Sequence, residues 1–310
     1  MGNEKLSVSI FRGHIAILAA NIIFGVNILI SKLVMPEFVS AYAMAFFRTC
    51  GGAILFWMVS LLIKYEKVPI KDLALLALAA LFGVLMNQML FVKGLEYSSP
   101  IEAAIVVTFT PIFTMLLAAF FLKEPITFKK VGGVCLGLAG AVIMVLSGKN
   151  SSASGNIWGI TLCLISGISY AIYLTAFRNL ISRYKPVTIM KWMFLFSSMV
   201  SLPFLYGSVS EIDYANLPLK AYLELAYVVV GATFITYMLI PVAQKALRPT
   251  VLSVYNYVQP ITTALLALIL GMDSFTWVKA LAAALVFLGV YVVTQSKSKA
   301  QLDAERNIKR

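Results

Sequence analysis

The sequence predicts an all-α membrane protein, with ten transmembrane helices built as two inverted five-helix repeats. Three observations carry this reading. First, the 310 residues are 61% hydrophobic and only 12% charged, with a mean hydropathy of +0.91. A soluble domain carries about 25% charged and about 45–50% apolar residues, so this composition suits the bilayer as solvent. Second, the stretch Pro100–Thr127 recurs 149 residues later as Pro249–Thr276. Pro100, Pro111, Glu124 and Thr127 are answered without a gap by Pro249, Pro260, Asp273 and Thr276. Leu and Ala coincide by chance in apolar helices, but two prolines, an acid and a threonine in register mark a duplication. Third, Lys and Arg collect on one side of the membrane as the spans are counted.

Each span follows from the roughly 20 apolar residues a helix needs to cross about 30 Å of hydrocarbon. In the first half these are His14–Val34, Tyr42–Ile63, Leu73–Val92, Pro100–Leu122 and Phe128–Leu146. The first apolar run, from Ile15, is longer than the roughly 7–15 residues of a signal-peptide core and reads as a retained span. The polar, Gly/Ser-rich stretch 147–156 is the joint between halves. The second half supplies Ile157–Asn179, Thr188–Tyr206, Leu219–Val242, Thr250–Leu270 and Phe275–Gln295. The repeat units are thus 13–147 and 156–295, and a charged tail, 296–310, follows.

With these spans, 18 Lys and Arg residues share the side of the termini, against three, Lys93, Lys149 and Lys220, on the other. The positive-inside rule then puts both termini in the cytoplasm. Five spans per unit is odd, so the second unit enters from the opposite face. The loop Lys123–Lys130 and its copy Met272–Lys279 agree with this: the acid and threonine persist while most basic charge is gone. Lys71 matches Lys220 and Met89 matches Met238 at the offset of 149. Gly13 matches Gly159 and Lys32 matches Arg178 at an offset of 146.

The net charge of +12 therefore belongs to membrane topology rather than to a nucleic-acid partner. Cys50, Cys135 and Cys163 all sit inside spans without metal-ligand spacing, so neither a metal nor a cofactor is expected. A single histidine, His14, and few buried carboxylates offer no catalytic constellation for an intramembrane enzyme. No G-x-x-x-x-G-K-[ST] loop points to ATP hydrolysis. A channel would want a ring of repeated filter residues, and duplicated, proline-broken helices suit a carrier better.

Phe24-Gly-Val-Asn27, Phe47-Arg48, Pro111 with its following apolar run and Lys-Glu124-Pro, and Gly132, Gly137 and Gly140 resemble the EamA branch of the drug/metabolite transporter superfamily. The resemblance covers about residues 13–295 as two EamA units. The sequence departs from the pattern at Phe24, where tryptophan is usual, at Phe194 opposite Arg48, at Met272-Asp273, and at Val286 opposite Gly137. The resemblance implies a ten-helix inner-membrane carrier, often an exporter of amino acids or related metabolites. Two bundles rocking about the proline-broken helices would give alternating access, in a monomer or a homodimer. A proton or ion gradient is a candidate driving partner.

In an inverted-repeat carrier the substrate sits near the midplane, where the repeats meet and helices break. Pro111 and Pro260 are the expected kinks; each withholds an N–H from the carbonyl four residues back, Val107 and Asn256 respectively. Such carbonyls should face protein or a water-filled cavity. Polar and aromatic residues pair across the repeats: Asn27 with Tyr173, Asn87 with Thr236, Gln88 with Tyr237, Thr108 with Tyr257, and Thr110 with Gln259. As a set, with Asn256, they are the expected lining of a small-molecule cavity. Glu102, near the start of the fourth span, is a candidate for a substrate amine or a coupling proton, against a helix N-terminal role. Arg48, seven residues into the second span, either binds a carboxylate or holds backbone carbonyls. Gly133 and Gly137 have the spacing of a close helix contact, within the chain or in a dimer.

Overall fold

The computed structural model describes residues 2–35, 37–98, 103, 106–146, 157–270 and 276–297. Among them every regular element is helical: α1 Gly2–Val34, α2 Ala41–Ser60, α3 Ile70–Ala80, α4 Asn87–Tyr97, α5 Thr110–Leu122, α6 Phe128–Leu146, α7 Ile157–Ala176 and α8 Arg178–Arg183. There follow α9 Pro186–Ser210, α10 Leu219–Ala226, α11 Thr236–Ala246, α12 Pro249–Val254, α13 Val258–Ile269 and α14 Trp277–Thr294. A π-helical segment, Leu81–Met86, joins α3 to α4, and another, Tyr227–Ile235, joins α10 to α11. A 3-10 turn, Tyr255–Tyr257, joins α12 to α13.

Seven continuous helical stretches among the described residues are long and apolar enough to cross a membrane, two of them, Ile70–Tyr97 and Leu219–Ala246, running through the π-helical segments; Thr110–Leu122 is a shorter apolar helix. Large apolar side chains stand exposed around the bundle, among them Phe128, Leu62 and Phe204. A soluble monomer rarely exposes such a continuous apolar surface, whereas lipid tails cover it at no cost. The chain is a multi-pass membrane protein.

The contacts between halves repeat at the offsets seen in the sequence. An added Cβ at Gly13 would lie 2.7 Å from Ala246 Cβ and 3.2 Å from Leu247 Cγ. One at Gly159 would meet Tyr97 Cβ at 3.0 Å and Ser98 N at 3.1 Å, the same neighbours shifted by one repeat. Lys32 donates to the Leu95 and Ser98 carbonyls (2.9 and 3.0 Å), and its counterpart Arg178 donates to the Leu247 carbonyl (3.4 Å). Both cations thereby cap the C-terminal carbonyls of a long helix, α4 or α11, where the helix dipole favours positive charge.

Helices α6 and α14 pack along their length through small residues. Gly133 faces Gly289 and Val293, whereas Gly140, further along α6, faces Ala282, Leu285 and Val286. The partner number falls as the α6 number rises, so the two helices run antiparallel. Exchanging each residue for its repeat equivalent turns the contact of Gly133 with Gly289 into that of Ala282 with Gly140. The small-residue face of α6 is thus occupied by α14 of the same chain. Gly132, on the other side, has open space around it. Helices α2 and α9 pair in the same antiparallel sense: Thr49 Oγ1 lies 2.9 Å from Ser201 Oγ, and Trp57 meets Trp192 edge to face.

Candidate functional site

A cavity of about 80 Å³ lies between the halves. A single water needs about 10–15 Å³ on this measure, so the space takes several waters or one small metabolite. The first half contributes Asn27 from α1, Arg48 from α2, Asn87 and Gln88 from α4, Val107 just before α5, and Thr110 at its start. The second contributes Ser166, Gly167 and Tyr170 from α7, Tyr237 from α11, and Asn256 and Gln259 around the α12–α13 break. Phe24, Phe91 and Cys163 complete an amphipathic wall.

Local irregularities in the helices aim these side chains. Each π-helical segment ends at residues that head the next helix: Asn87 and Gln88 after the first, Thr236 and Tyr237 after the second. A π-segment rotates the following residues relative to an ideal α-helix, and such segments recur at functional sites. Before Pro111 the backbone leaves the α-helix at Thr108 and Phe109; before Pro260 it tightens into the 3-10 turn Tyr255–Tyr257. Both prolines therefore sit in the first turn of a new helical segment, just after the irregularity, where a missing N–H is tolerated. Val107 and Asn256, the residues four back, both line the cavity.

Polar contacts cross the seam. Asn87 Nδ2 donates to the Ser166 carbonyl and hydroxyl (3.2 Å each), and Ser166 Oγ donates to the Asn87 carbonyl (2.7 Å). Tyr237 donates to the Gly83 carbonyl (3.2 Å), and Gln259 Nε2 donates to Asn21 Oδ1 (2.8 Å). Two groups are left out. Both polar atoms of the Gln88 amide are buried without a partner, and so is Arg48 Nε.

Asn27, Arg48, Asn87, Gln88, Tyr237, Asn256 and Gln259, singled out from the sequence, meet at this cavity. Three others do not. Tyr173 is fully buried against Gly83, where an added Cβ would lie 2.5 Å from its ring, and it donates to Gln244 Oε1 (3.1 Å). Tyr257 lies the same way over Gly137 (2.3 Å) and donates to the Val134 carbonyl (3.0 Å). Each ring fills the space a glycine leaves open, so both belong to the packing. Thr108 is fully buried and outside the lining. Glu102 falls outside the described residues.

Near the N-terminal end of α1, His14 Nδ1 lies 2.8 Å from the Tyr255 hydroxyl, beside the α12–α13 break. The sequence reading missed Ser166 and Tyr170. Tyr170 lies three residues from Tyr173 and stacks on it, with ring centroids 6.0 Å apart.

The EamA-like transporter family matches residues 11–146 and again 157–295. An uncharacterized transporter of Archaeoglobus fulgidus is 28% identical over 261 residues, covering 84% of this chain and 91% of its own. A protein of Streptantibioticus cattleyicolor named a probable terminal-alkyne amino-acid exporter is 24% identical over 157 residues, about half of each chain (51%). One crystal structure superposes with a TM-score of 0.71 at 19% identity, covering 93% of this chain and 96% of that one.

Proposed function

The chain belongs to the EamA-like transporter family, and from that premise we propose that it is a secondary carrier exporting small metabolites such as amino acids across the inner membrane by alternating access. The observation that carries this reading is the cavity itself. It lies at the seam of two repeats, is lined from both, and is bordered by the two proline-broken helices. Inversion of the repeats is supported by the antiparallel, mutually exchanged contacts of α6 and α14. Two copies related by an axis along the membrane normal would place these equivalent helices parallel.

Transport requires the seam to open on each side in turn. The contacts that must part on the terminal side include the polar pairs His14 with Tyr255 and Asn21 with Gln259, together with the close packing of Gly13 on Ala246. Residue types around the cavity suit a small polar molecule: amides and hydroxyls to orient it, and Phe24, Phe91 and Tyr170 to cover its apolar part. The printed name of the Streptantibioticus relative supports amino acids as cargo and export as direction. The test is flux in proteoliposomes. A carrier shows saturation and counterflow, whereas a pore shows linear flux without counterflow.

Gln88 offers a sharper prediction. Its amide lines the cavity and makes no hydrogen bond to the protein among the described residues, so both its donor and its acceptor are available to a ligand. Gln88→Met is expected to melt no lower than wild type without ligand while weakening transport affinity about tenfold. A variant that melts lower with unchanged affinity would remove Gln88 from the site.

A further inference from the structure

We infer that Arg48 is the anchor for a single carboxylate of the cargo, so that the cargo binds in one polarity with its acid end on the first repeat. This rests on the cavity being the transport site. Arg48 is 4% exposed, lines the cavity, and makes no hydrogen bond or ion pair among the described residues. A guanidinium that held helices together would donate to backbone carbonyls, as Lys32 and Arg178 do at their helix ends. A buried, unpaired cation is costly, and a planar fork of N–H donors matches a carboxylate. Gln88, also unpartnered, supplies a further amide donor at the same cavity.

The anchor is one-sided. The repeat equivalent of Arg48 is Phe194, which is fully buried and packs against Phe56 and Tyr237 with ring centroids 5.1 Å away in each case. Among the described residues Arg48 is the one charged side chain lining the cavity. One guanidinium balances one negative charge. A phosphate monoester, carrying about 1.5–2 charges at neutral pH, would bury charge without a partner. An amine on the cargo meets no carboxylate there among the described residues; carbonyl and hydroxyl oxygens are its available acceptors.

The experiment follows the melting of purified full-length protein in detergent with three pools: L-amino acids, their carboxamides, and the matching acids lacking the α-amine. Both carboxylate pools are expected to raise the melting temperature, and the carboxamides to bind ten- to hundredfold more weakly. R48M should melt no lower than wild type without ligand and should lose the response. Carboxamides as effective as acids, a response surviving in R48M, inorganic phosphate replacing the acids, or no response from wild type would each overturn the anchor. So would an R48M protein that melts lower or cannot be purified while R48K behaves as wild type, which marks a structural arginine. G167W, which fills the cavity, separates the two readings. A carboxamide response kept in R48M and lost in G167W removes only the anchor. A response unaffected by G167W removes the cavity as the site.

Discussion

Gly289→Leu is expected to cost about 3 kcal/mol or more and to leave little folded protein. An added Cβ at Gly289 would lie 2.5 Å from Gly137 N and 2.6 Å from the Gly133 carbonyl. Both are backbone atoms of α6 and cannot rotate away. Lipid gives apolar helices no hydrophobic reason to associate, so close packing of small residues carries the contact. Forcing α14 outward removes that packing along both helices and displaces Gly137 from beneath Tyr257. The control is Gly132→Leu, one residue from Gly133 but with nothing within 4 Å of its added Cβ. It should unfold in mixed micelles within about 0.5 kcal/mol of wild type, apart from a small gain from replacing glycine in a helix. Equal stability of the two variants would show that α6 and α14 do not pack as described.

Tyr257→Ala is expected to lower stability by about 3–5 kcal/mol, the usual loss on truncating a buried aromatic residue. Its ring is fully buried over Gly137, and its hydroxyl donates to the Val134 carbonyl at 3.0 Å. Tyr257→Phe keeps the ring and loses one hydrogen bond, for about 1 kcal/mol. Substrate affinity of the folded fraction should be unchanged in Tyr257→Phe. A loss of affinity in this variant without a loss of stability would put Tyr257 back at the cavity.

The contrast between Tyr257 and Gln88 shows what could be read from the residues alone. Duplication was visible because prolines and acids in register are rare events in an apolar chain. Locating the cavity needed only two offsets and the knowledge that Pro111 and Pro260 disturb their helices. Asn87, Gln88 and Tyr237, picked by those offsets, line one cavity. The tyrosines divide for a reason that no local pattern carries. Tyr173 and Tyr257 are paired by volume with Gly83 and Gly137, 90 and 120 residues away. The residues standing at the equivalent positions in the other half, Asn27 with Ala232 and Thr108 with Val286, are sized differently. Tyr170 has the apolar Phe24 as its repeat equivalent, so pairing polar residues across the repeats does not pick it out. The π-helical segments have no sequence signal of their own. Each contains a glycine, Gly83 or Gly231, a weak helix former that also occurs elsewhere in the chain without such a segment.

The native Cys163 offers the most direct test of passage through the seam, because it lines the cavity while Cys50 and Cys135 do not. In a Cys50→Ala, Cys135→Ala background, reconstituted in vesicles of known orientation, a small charged methanethiosulfonate reagent is applied from one face and then, separately, from the other. Alternating access predicts that Cys163 reacts from both faces and that a transported compound slows both reactions. A thiol inert from both faces, or one that reacts at the same rate whether or not a transported compound is present, would contradict the account.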